Sequence, residues 1–142
     1  MYKRLLSVMV LMLLTGSVYA AGNEIPPEEL KAVLRTKINA VERLAANSEV
    51  IEAVRAQNSQ RMALQDIKKR DEEWQATKEL TAFKKSLQEN TAGEFLKQSV
   101  RRNPTYNEAF LTDNQGANVA AFPATSDYWQ GDEEKWSASW NN

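Results

Sequence analysis

Residues Tyr106 to Phe122 read YNEAFLTDNQGANVAAF. Two short runs, Tyr106–Thr112 and Ala117–Phe122, flank Asp113-Asn114-Gln115-Gly116. That layout predicts a strand, a tight turn and a second strand, with Gly116 supplying the positive φ that such turns need. Pro123 ends the second strand because it has no N–H to donate to a ladder. This hairpin decides the fold class, since the sequence before it is patterned as helix.

Toward the N-terminus, Leu30, Val33, Leu34, Ile38, Val41, Leu44 and Ala45 recur at spacings of three and four, the apolar stripe of an amphipathic helix. Pro26-Pro27 precede it, and Glu28-Glu29 occupy its first turn, where the helix dipole favours acids. Ser48 is the expected cap of a second helix carrying Val50, Ile51 and Val54, interrupted by the polar run Ala56–Arg61. Leu64, Ile67 and Trp74 mark a short third helix. A fourth is expected from Glu79 to about Val100, with Gly93 as its weak point and Asn103-Pro104 as its stop. Residues 21–103 therefore read as a helical N-terminal part, with no motif of chemical interest.

Residues 1–20 read as a secretory signal peptide. A basic head, Lys3-Arg4, precedes the apolar run Leu5–Leu14, and Val18-Tyr19-Ala20 forms the cleavage site. Ten apolar residues are too few to span a bilayer, which takes roughly 20. The mature chain is thus expected to be periplasmic or secreted and not membrane-embedded. The chain has no cysteine and no histidine, so neither disulfides nor a lipid-modified cysteine can contribute. Its 18 basic residues against 19 acidic ones, two of the basic ones lost with the leader, recommend no nucleic-acid partner. Lys68-Lys69-Arg70 and Arg101-Arg102 read most simply as solvated helix faces.

Beyond the hairpin, Thr125 to Trp136 read TSDYWQGDEEKW. Asp132-Glu133-Glu134 suit the first turn of a short helix over about 131–140, which places Trp136 and Trp140 at i and i+4 on one face.

FLTDNQGANVAA (Phe110–Ala121) together with TSDYWQGDEEKW resembles the exported Cache-type (PDC sensor) domain, a PAS-like α/β fold. The likeness is dense over Phe110–Trp136 and looser over the helical part, where apolar spacing and VIEAVRAQN agree. It implies an α+β protein: an N-terminal helical segment, then an incomplete PAS-like antiparallel sheet with a short helix over 104–142. Three further strands are implied beyond the last residue. Without them the bare strand edges would invite a homo-oligomer. The resemblance also implies a sensing role for a small molecule of unknown identity, with a membrane signalling protein as a candidate partner. The amino-acid-binding members carry an Arg-x-Trp-Tyr pattern; Ser126-Asp127-Tyr128-Trp129 lacks the arginine, so an amino-acid ligand is not implied.

The chemistry of TSDYWQGDEEKW has three readings. Catalysis is disfavoured: a Ser-His-Asp or Cys-His arrangement is impossible here, and the acids after Gly131 sit where helix dipoles favour them. Metal binding is disfavoured too, because zinc usually takes His or Cys, and Asp113–Gly116 lacks the length and closing Glu of an EF-hand. No cofactor is expected. In the ligand reading, Asp127, Tyr128, Trp129, Gln130 and Asp132 line a pocket, and a cationic or amine ligand would suit acids beside aromatics. In the packing reading, the aromatics close a core and the acids cap a helix. The division expected is Tyr128, Trp129, Gln130 and Asp132 toward the ligand, with Trp136 and Trp140 toward the core. A helical interaction or adaptor protein with an aromatic C-terminal contact surface is the alternative to a sensor.

Overall fold

The computed structural model describes residues 27–140, except the side chain of Trp140. The leader, its cleavage site and the expected core position of the Trp140 ring lie outside the described residues. The fold is α+β. Five helices run α1 (Pro27–Ala45), α2 (Ser48–Gln60), α3 (Leu64–Gln75), α4 (Ala82–Glu89) and α5 (Thr91–Arg102). The hairpin β1 (Ala109–Thr112) and β2 (Asn118–Phe122) follows, and then α6 (Glu134–Trp140).

Helix boundaries differ from the sequence reading at both ends of α2 and within the expected fourth helix, each for a local reason. The polar run Ala56–Arg61 does not interrupt α2; most of it continues the helix, because its side chains dock the hairpin turn. Gln57 Nε2 donates to Asp113 Oδ2 at 2.9 Å, and Asn58 Oδ1 accepts the Asn114 N–H at 2.9 Å. Asn47, not Ser48, caps α2 by accepting the Glu49 N–H at 2.8 Å. The expected fourth helix is two helices broken at Asn90. Asn90 is extended (φ −68°, ψ 164°), its Oδ1 caps the Gly93 N–H at 2.7 Å, and its Nδ2 donates to the Val119 carbonyl at 3.0 Å. Gly93 permits this corner: a Cβ there would lie 2.3 Å from the Leu87 carbonyl oxygen.

The hairpin is antiparallel, with Phe110 opposite Ala121 and Leu111 opposite Ala120, and an irregularity between Leu111 and Thr112. Ala109, Leu111 and Ala120 point to one face, where they join Val50, Val54, Leu96 and Val100 of α2 and α5 in the larger core. Phe110, Thr112 and Ala121 belong to the other face and are also buried. Two-sided burial explains why these strands lack the apolar–polar alternation of a half-solvated sheet.

A second core forms beside the turn from Ile67, Trp74, Leu87, Ala117 and Tyr128, with Phe83 and Met62 against it. The stripe of α1 is only half used. Val41 and Leu44 pack on the larger core, whereas Leu30, Val33, Leu34 and Ile38 are 46–55% exposed.

Candidate functional site

The segment after Pro123 returns along the open end of β2 and is fastened there by backbone and side-chain bonds. The Asn118 N–H donates to the Tyr128 carbonyl at 2.9 Å, and the Gln130 N–H donates to the Gly116 carbonyl at 2.8 Å. Gly116 has φ 84°, and a Cβ on it would lie 2.6 Å from the Gly131 Cα, so the turn and the segment touch through their glycines. Asp71 of α3 completes the attachment. Its Oδ1 accepts the N–H groups of Tyr128 at 2.7 Å and Trp129 at 3.0 Å.

The five residues expected at a ligand are divided by this path. Tyr128 is 1% exposed, and its ring packs 5.1 Å from Phe83 and 5.9 Å from Trp74, centroid to centroid. It belongs to the second core, and burial pushes its hydroxyl pKa up, with Asp113 adding to the rise and Arg70 opposing it. Trp129 is half-buried; its Nε1 donates to the Gln115 carbonyl at 2.8 Å, and Lys68 Nζ lies 4.8 Å from its ring centroid. Asp132 is exposed. Only Asp127 and Gln130 are brought together. Trp136, expected in the core, is half-buried and donates from Nε1 to Thr112 Oγ1 at 3.2 Å.

Asp127 and Gln130 meet Asn118 on the face of the hairpin opposite α2 and α5. Gln130 Nε2 donates to Asp127 Oδ1 at 2.5 Å and to the Asp127 carbonyl at 3.2 Å. Asn118 Nδ2 donates to Thr125 Oγ1 at 2.8 Å and to the same Asp127 carbonyl at 3.1 Å. These contacts fix both amide orientations, because a flipped amide would set its oxygen against a carbonyl. The consequence is specific. Asn118 Oδ1 and Gln130 Oε1 are both closed to solvent and have no hydrogen-bond partner. A buried acceptor left unmet costs about 1–3 kcal/mol, and two of them flank one residue.

The surroundings are acidic. Glu108, which precedes Phe110 and Thr112 on the same alternation, feels Lys135, Asp127 and Glu133. Its carboxyl titrates above the usual range, chiefly through burial; Lys135 pulls it down, while Asp127 and Glu133 push it up. Lys135 Nζ is paired with Glu133 at 2.6 Å and lies 5.5 Å from the Phe110 ring centroid. Among the described residues, no group of three or more carboxylates is placed to hold a metal.

The sequence reading missed Asn118, Glu108 and Lys135. A buried strand that carries an asparagine in ANVAAF held the one readable sign, since a polar side chain there must find a partner.

An opening of about 410 Å³ lies elsewhere, between α2, the α4–α5 junction and Val119, and includes Glu49, Glu52, Gln57 and Asn90. Its size suits a small molecule. Its central amides are already committed, however: Gln57 to Asp113 and to the Ala117 and Asn118 carbonyls, Asn90 to Gly93 and Val119.

Compared with protein-family models, with curated proteins and with solved structures, the chain has no significant match in any of the three.

Proposed function

We propose that this protein is an exported, non-catalytic binding module that senses a small molecule at the Asn118–Asp127–Gln130 corner, in the manner of the Cache domains its sequence resembles. The observation that carries the reading is the pair of buried amide oxygens without partners, on side chains that meet at Asp127 on the far face of the hairpin. Buried polar groups in folded proteins are almost always bonded. Two unmet acceptors on side chains that share the Asp127 carbonyl support a place for an external donor. The Cache likeness adds a sheet-bound ligand and a membrane signalling partner to this reading.

The experiment is a thermal-shift screen of the full chain against a broad panel of amines, carboxylates, sugars and nucleosides. A ligand that binds only the folded state raises Tm by mass action. Its place is read from the side-chain amide signals of Asn118 and Gln130 in 15N NMR. A panel that leaves both Tm and those signals unmoved refutes the site.

The second reading, a helical interaction or adaptor protein, draws on the exposed Leu30, Val33, Leu34 and Ile38 of α1. It predicts that Val33→Asp abolishes recovery of a crosslinked partner while the small-molecule shift is unchanged.

A further inference from the structure

We propose that, while the leader is attached, its apolar run Leu5–Leu14 covers the exposed stripe of α1, and that cleavage after Ala20 bares this stripe. The inference goes beyond the small-molecule reading and does not depend on it. Three observations lead to it.

First, the stripe is firmly presented but only half covered. Val41 and Leu44 pack on the larger core. Lys37 Nζ donates to Thr105 Oγ1 at 2.9 Å and lies 5.1 Å from the Tyr106 ring centroid. These contacts hold the C-terminal half of α1 against the body of the protein. Leu30, Val33, Leu34 and Ile38 continue the same stripe toward the N-terminus and are 46–55% exposed. Four aliphatic side chains in a row form a patch whose covering is favourable.

Second, the chain carries a cover of matching length close by. The run LLSVMVLMLL is apolar throughout except for Ser7. As a helix it would be about 15 Å long, against about 12 Å from Leu30 to Ile38. Being apolar on every side, it can lay a face on α1 whatever its rotation. Residues 15–26 join it to α1, which starts at Pro27. Folding back beside α1 takes a span of roughly 10 Å, the separation of packed helix axes. The connecting residues can reach roughly 40 Å when extended, so the path is slack. That path sets Leu14 by Leu30 and the basic head Lys3-Arg4 about a turn beyond Ile38, level with the exposed Glu42.

Third, tethering decides between the leader and a second copy of the chain. A short flexible linker holds its end at an effective concentration in the millimolar range, about a thousandfold above a second chain at micromolar concentration. The leader therefore outcompetes another copy until it is cut away. Cleavage removes the cover and its tether together, so the surface that the adaptor reading uses opens only on export.

The test compares the full chain, made by cell-free synthesis without membranes so that the leader stays on, with the chain that begins at Ala21. Both carry 13C-labelled Leu, Val and Ile methyl groups. The Val33, Leu34 and Ile38 methyl signals should differ between the two forms. In the full chain they should show NOEs to methyl groups of residues 5–14, and they should not move on dilution. Val10→Asp with Leu11→Asp, two changes confined to the leader, should return the α1 signals to their positions in the shorter form. Identical α1 signals in the two forms would overturn the proposal. Signals that move on dilution, with a doubled mass in sedimentation, would overturn it too, because a second copy would then be the occupant. The small-molecule reading survives either result, since its probes are the Asn118 and Gln130 amides.

Discussion

Individual side chains show how much of this protein depends on single bonds to the segment after Pro123. Asp71 sits on α3 and is polar in a run of polar residues, yet one of its oxygens holds two backbone N–H groups of the hairpin's return path. Asp71→Ala should cost about 2–3 kcal/mol in urea unfolding, because it strands two donors that met a charged acceptor. Trp74 is 1% exposed and bonds the Thr125 carbonyl at 2.9 Å, so it both fills the second core and ties the same segment. Trp74→Ala should cost about 3–5 kcal/mol. An unaltered denaturation midpoint for either variant would mean that the segment is held elsewhere.

Glu108 carries a pH signature with a definite sign. Burial raises its folded pKa above the ordinary value of 4.5, so the native state binds its proton more tightly than the unfolded chain does. Its stabilising contribution is complete in acid, below the ordinary value, and is lost as pH rises through the raised folded value. Glu108→Gln should therefore flatten the decline of stability over that window. A pH profile of stability unchanged in Glu108→Gln would show that another group carries the decline.

At the scale of elements, the hairpin is the part whose fate the helices decide. Two strands alone are marginal in water. Here one face lies on α2 and α5, and on the other Trp136 bonds Thr112 while Lys135 covers Phe110. Hydrogen exchange in the monomer should accordingly be slow at Leu111 and Ala120, close to the global unfolding rate. Fast exchange through both strands would show that the covering elements open independently. The α4–α5 corner makes the converse point. A continuous apolar pattern from Leu80 to Val100 reads as one helix, and Asn90 breaks it because its side chain does better by capping α5 and holding β2 than by pointing to solvent. Gly93→Ala should destabilise despite the higher helix propensity of alanine, since its Cβ would overlap the Leu87 carbonyl.

For the whole molecule, no helix among the described residues is long and apolar enough to cross a membrane. Separately, the ten-residue apolar run at the N-terminus and Val18-Tyr19-Ala20 carry the proposal of export with cleavage after Ala20. N-terminal sequencing of the secreted or periplasmic fraction should begin at Ala21. Intact chain recovered solely from membranes would replace export by anchoring.

The sequence alone determined the α+β class, the α1 and α3 helices and the hairpin with Gly116 at its turn, because these depend on periodicity and local turn chemistry. It also selected Asp127 and Gln130, although it grouped them with Tyr128, Trp129 and Asp132. The return segment is not a regular strand: Tyr128 entered the second core, while Gln130 turned back to bond Asp127, whose carbonyl also meets Asn118. What only the tertiary structure decided is every contact made across distance. It set Asp71 on the Tyr128 backbone, Gln57 on the hairpin turn, and Asn118 on the Asp127 carbonyl with its own oxygen unmet. A polar side chain in a sequence declares its capacity to bond; which partner it meets, or lacks, is fixed when packing brings remote segments together.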